Sequence, residues 1–103
     1  DLAGVFVVQD DEFIYVNDRF AKVFGYIREE LLGSPLRKVV SDATDDSLVE
    51  ELLATTDGER RTYSCELVGS CSDGSEIDVE VYAGSIRHQG DSGCIGLLWE
   101  ADE

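Results

Sequence analysis

The chain reads as an α+β domain, on three observations. Two apolar runs near the N-terminus, GVFVVQ (4–9) and FIYV (13–16), are separated only by Asp10-Asp11-Glu12, which spells a short hairpin. Short helical patterns fill the stretch from Asn17 to Thr55, and from residue 60 the hydrophobic period becomes two for three longer strands. A chain of 103 residues with 43% hydrophobic content is one domain, 1–103, able to pack a single core rather than stay disordered.

After FIYV, either Asn17 or Asp18 is suited to cap a helix, since each side chain accepts from an unpaired first-turn amide. Phe20, Val23 and Phe24 then fall at helical spacing, and Gly25 ends the turn in a left-handed conformation. REELL (28–32) is a second helix, stopping at Gly33. Ser34-Pro35 reads as an N-cap and first-position proline, starting LRKVV with Leu36, Val39 and Val40 on one face. Thr44 is expected to cap the longest helix, to about Thr55. Asp45 and Asp46 complement its dipole, and Leu48, Val49, Leu52 and Leu53 form its stripe.

Among the strands, Tyr63, Cys65 and Leu67 alternate with Ser64 and Glu66, and Ile77, Val79, Val81 and Ala83 alternate with Asp78, Glu80 and Tyr82. A two-residue Asp73-Gly74 turn would set Leu67 opposite Glu80 and mix the faces. A three-residue loop, Ser72-Asp73-Gly74, with Gly74 left-handed, sets Leu67 opposite Val79 and Cys65 opposite Val81, and is preferred. The closing run CIGLLW (94–99) is apolar without alternation, as expected of a strand covered on both faces.

The formal net charge of −15, from 8 basic and 23 acidic residues, speaks against nucleic acid and against anionic membranes. No run approaches the ~20 apolar residues of a membrane span, and no signal peptide is visible, so a cytoplasmic setting is expected. Only Lys22 and Lys38 are lysines. Such a composition suits a high-salt, halophilic cytoplasm, because carboxylate repulsion reaches roughly 10 Å at 0.1 M salt but roughly 3 Å at 1 M. The thermal midpoint should therefore rise from dilute to molar potassium chloride; a flat or falling midpoint would count against this expectation. Cys65, Cys71 and Cys94 are odd in number and lack CxxC spacing, so neither a disulfide framework nor, with His88, a zinc site is expected.

The chain resembles a PAS domain. YVNDRFAKVFGY (15–26), EELLG (29–33), DGSEIDVEVYAGSIR (73–87) and the closing GCIGLLWEADE (93–103) carry the resemblance, in that order, across nearly the whole chain. It implies a five-stranded antiparallel sheet, order 2-1-5-4-3, cupping short helices over a small cavity. It also implies a sensory input module of a two-component or transducer-like signalling protein, with an output domain elsewhere in the parent; the acidity points to a haloarchaeal one. Two features depart from the family. Ile27 stands where Ser or Thr often makes a capping box, leaving Glu30 without that partner. Glu100-Ala101-Asp102 stands where Asp-x-Thr is common.

The chemistries of the family are then weighed on residues. Haem needs an axial histidine on the long helix, where there is none; His88 falls in an expected hairpin loop. Covalent flavin chemistry of the LOV type needs a cysteine in an Asn-Cys-Arg motif, and residues 1–64 hold no cysteine. No GxGxxG, phosphate loop or GxSxG is present, so no enzyme activity and no catalytic or metal residue is expected. What remains is a cavity for a small, mainly apolar ligand, lined by Phe20, Phe24, Leu52, Cys65, Leu67, Gly69, Val79 and Val81 and, through the resemblance, Gly96 and Leu98. The alternative is a ligand-free interaction module. With Leu98 inward, Ile95, Leu97 and Trp99 face outward, beside Phe6 and Val8, as a homodimer surface or as the seat of an N-terminal helix.

Overall fold

The computed structural model describes residues 3–56 and 62–101, Thr56 and His88 by their backbones only; Asp102, in the acidic exit motif, lies outside them. Strands β1 (Gly4–Gln9), β2 (Glu12–Val16), β3 (Thr62–Ser70), β4 (Glu76–His88) and β5 (Asp91–Glu100) form one antiparallel sheet in the order β2-β1-β5-β4-β3. Helices α1 (Asp18–Phe24), α2 (Arg28–Leu31) and α3 (Asp46–Thr56), with a 3-10 turn at Leu36–Val39, lie between β2 and β3 in the chain. The architecture is the one the resemblance implies.

Local chemistry accounts for the turns. Asp10 and Asp11 both take positive φ, 56° and 64°, in a two-residue hairpin turn that short polar side chains tolerate. Between β3 and β4, Cys71 N donates to Ser75 O (2.9 Å) around Ser72-Asp73-Gly74, with Gly74 at φ 89°. That loop sets Leu67 opposite Val79 and Cys65 opposite Val81, the register read from face matching. His88 closes β4 rather than lying in a loop; the β4–β5 turn is Gln89-Gly90.

The handover from β2 to α1 rests on Asn17. Its Oδ1 accepts from Phe20 N and from Val5 N, both at 2.9 Å, and its Nδ2 donates to Ala3 O at 3.3 Å. Gly25, φ 80°, ends the helix. Three helix starts differ from the sequence reading. Pro35, not Ser34, flanks the 3-10 turn, and the Ser34 hydroxyl donates instead to Glu30 O (3.1 Å). At α3, Asp45 Oδ1 accepts from Ser47 N (2.9 Å), and these hydrogen bonds hold its carboxyl below the usual range. Thr44 is drawn away from that cap: its hydroxyl donates to Val68 O and accepts from Val68 N, tying the loop before α3 to β3. Glu30 does find a partner at α2, since its carboxylate accepts from Ile27 N at 3.0 Å, so half of a capping box survives without a hydroxyl.

The core lies between the helices and the inner sheet face. Phe13, Phe6, Phe20 and Phe24 form a connected series of ring contacts, with centroids 5.2–6.1 Å apart and all four rings buried. Each such burial stabilises by about 1.5–3 kcal/mol. Val49 and Leu52 anchor α3, while Leu48 and Leu53 are only half-buried.

Candidate functional site

Two places could carry function: the interior between sheet and helices, and the outer face of the sheet. In the interior, Gly96 pairs with Phe6 across β5 and β1, and a Cβ built on Gly96 would stand 2.2 Å from Phe6 Cζ. A Cβ on Gly69 would stand 2.5 Å from Phe24 Cε1. The small residues thus admit aromatic rings. The place of Gly96 in the expected cavity lining is thus taken up by the Phe6 ring.

A void of about 10 Å³ is bordered by Phe20, Phe24, Leu52, Leu67, Val81 and Leu98 together with Phe6. It is no larger than about one water and offers no polar lining to hold it. Val79 is buried in the core beside it, and Cys65 is half-buried one pair along β3 from Leu67, its thiol pushed up by burial. Cys94, opposite Val8, is fully buried, and burial pushes its thiol up to about 12, so it stays protonated and inert at neutral pH. Among the described residues no three His, Cys, Asp or Glu are grouped to hold a metal.

Phe6 and Val8 are not outer-face residues. Both are buried in the core, because β1 pairs with β5 in a register that sets Phe6 beside Gly96 and Val8 beside Cys94, on the inner side. Their neighbours Val5 and Val7 take the outer positions, opposite Leu97 and Ile95. Nor is β5 covered on both faces by the described residues: Ile95 and Leu97 are 43% and 44% exposed.

Three adjacent rows cross the middle of the outer face. One runs Glu66, Glu80, Trp99; the next Ser64, Tyr82, Leu97, Val5; the third Thr62, Gly84, Ile95, Val7, Tyr15. Tyr82 stacks on Trp99, centroids 5.3 Å apart and planes 20° from parallel. A shallow open depression of about 770 Å³ lies between Tyr82, Ile95 and Leu97 and the polar edge at Thr62 and Ser64. Alternation along β4 marks Tyr82 as outward; Val5, Val7 and Tyr15 lie in apolar runs that carry no sign of which face is which.

A family model described as PAS domain matches residues 2–99. No curated protein matches the chain by sequence. Among solved structures, a PAS domain from a two-component sensor histidine kinase superposes with a TM-score of 0.79 at 22% identity, covering 98% of this chain and 86% of that one. The PAS domain of an HTR-like protein from Haloarcula marismortui gives 0.77 at 22% identity, over 96% and 81%. A light-oxygen-voltage domain, from a flavin-analogue study of its mechanism, gives 0.83 at 19% identity, over 98% and 78%. At these identities the likeness is one of fold.

Proposed function

Because this chain belongs to the PAS domain family, we propose that it is the input domain of a signalling protein and that it works by protein contact through the outer sheet face. One contrast carries the reading: the interior void bordered by Phe6 and Phe24 is about 10 Å³, while Tyr82, Ile95 and Leu97 leave an exposed apolar surface on β4 and β5. A ligand of even a few heavy atoms would need those two rings to move. An exposed apolar band on a central strand is, by contrast, costly to leave in water, and contact with a partner removes that cost.

Transmission then needs no chemistry in the domain. Leu98 packs in the core, Leu97 and Trp99 lie on the outer face, and all three belong to the strand that leads to the C-terminal end of the described chain. A shift in helix packing reaches the contact surface through one rigid element.

Purified without added cofactor, the protein should be colourless and should show the mass of the chain alone in native mass spectrometry. A stoichiometric small molecule, or an absorption band beyond the protein range, would replace contact by ligand sensing. The face itself is tested by sedimentation equilibrium in molar salt, where carboxylate repulsion is screened and the expected homodimer can form. Trp99→Ala should weaken self-association at least about tenfold, since a tryptophan at a contact centre contributes about 2 kcal/mol or more. Equal constants, or a wild type monomeric at millimolar concentration, would overturn contact through this face.

A further inference from the structure

The charges bordering the outer face say which partner it prefers. Five of the eight basic residues, Arg19, Lys22, Arg28, Arg37 and Lys38, stand on α1, α2 and the 3-10 turn, the elements on the inner side of the sheet. Among the described strand residues Arg87 is the only Lys or Arg, and its Nη1 donates to Gly90 O at the β4–β5 turn. The described ion pair, Arg28 to Asp18 (3.1 Å), also lies on the helical side.

On the sheet, Glu66 and Glu80 stand directly opposite each other on β3 and β4, and Glu80 in turn stands opposite Trp99. Like charges in directly opposed positions destabilise a strand pair. With Tyr82 they border a depression of about 230 Å³, next to the apolar one between Tyr82 and Leu97. Carboxylates are common on a chain of net charge −15. These two are set apart by position: they close one end of an exposed aliphatic and aromatic band, with no lysine or arginine among the described residues of the neighbouring outer rows.

Resting on the reading of the outer face as the contact surface, we propose that its preferred partner is a basic amphipathic segment of another protein or domain. Leucine-like side chains would lie over Ile95 and Leu97, and a lysine or arginine would meet Glu66 and Glu80 beside the Tyr82–Trp99 stack. Charge complementarity selects this occupant. A cation from the partner relieves the Glu66–Glu80 repulsion, and a cation beside aromatic rings gains further. A second copy brings the same two carboxylates and a net charge of −15, so at moderate ionic strength it is disfavoured.

The test uses two synthetic helical peptides with the same leucine pattern and no tryptophan, one bearing lysines and the other glutamates on the polar face. Each is titrated into the 103-residue domain in 0.1 M salt, with emission from Trp99, the chain's single tryptophan, as the readout. The lysine peptide should shift that emission and bind at least about tenfold more tightly than the glutamate peptide, and added salt should erode the preference. Glu66→Gln with Glu80→Gln should remove most of the preference. Asp10→Asn with Asp11→Asn, which deletes two charges at the β1–β2 turn on the opposite edge of the sheet, should keep it.

Equal binding of both peptides, or equal loss of preference in both double variants, would overturn the basic partner while leaving the contact face standing. So would self-association through Trp99 under the same conditions with neither peptide bound. If neither peptide binds and Trp99→Ala also leaves self-association in molar salt unchanged, both the partner and the face are refuted.

Discussion

Gly96→Leu should be the most damaging single substitution in the sheet. The first carbon added to Gly96 would stand 2.2 Å from Phe6 Cζ and 2.4 Å from Cε1, and Phe6 is itself packed against Phe13 and Phe20. The void that Phe6 borders holds only about 10 Å³, too little for the ring to retreat into. Overpacking of this kind costs about 1–3 kcal/mol and occasionally more, and leucine adds three further carbons beyond the clashing one. Urea denaturation of wild type, Gly96→Ala and Gly96→Leu should show a midpoint falling in that order. Phe6→Leu in the Gly96→Ala background should recover part of the loss, because it removes the colliding ring edge. If Gly96→Leu keeps the wild-type midpoint, Phe6 swings aside cheaply, and the interior is a closed but openable ligand site.

Asn17→Ala should cost roughly 2 kcal/mol or more, combining a lost helix cap with a half-buried amide left without an acceptor. The size comes from the number of groups that one side chain serves. Its oxygen accepts from Phe20 N in α1 and from Val5 N in β1, and its amide donates to Ala3 O. A built Cβ on Gly4 would stand 2.9 Å from Phe20 Cα, so the start of β1 and the first turn of α1 are in direct contact as well. Asn17→Asp keeps an acceptor for both amides and loses only the donation to Ala3, so it should cost clearly less. Equal losses for alanine and aspartate in urea denaturation would show that the two accepted bonds contribute nothing.

Neither role could have been seen whole from the chain alone. By local chemistry Asn17 and Asp18 are equal cap candidates, since both side chains suit an N-cap. Asn17 prevails because its amide also reaches Ala3 and Val5, backbone brought there only by pairing of β1 with β2. At α3 the same competition went the other way. Thr44 has cap chemistry, but Val68 offers it two backbone partners from a strand twenty-four residues on, and Asp45 inherits the cap.

Local sequence determined what depends on neighbours in the chain. The strand and helix boundaries near Asn17 and Gly25, and the β3–β4 register, follow from capping chemistry, left-handed glycine and the matching of faces across a short loop. The family, and with it the strand order, was carried by YVNDRFAKVFGY and DGSEIDVEVYAGSIR. Tertiary structure alone decided on which side of the sheet β1 places its alternate residues. GVFVVQ is apolar at nearly every position, so a period of two has two equivalent phases, and only pairing with β5, some ninety residues away in sequence, puts Phe6 inside and Val7 outside. The same pairing decided between a cavity and a filled core: a glycine in a strand marks a space, and whether a ring enters that space depends on the residue set opposite it.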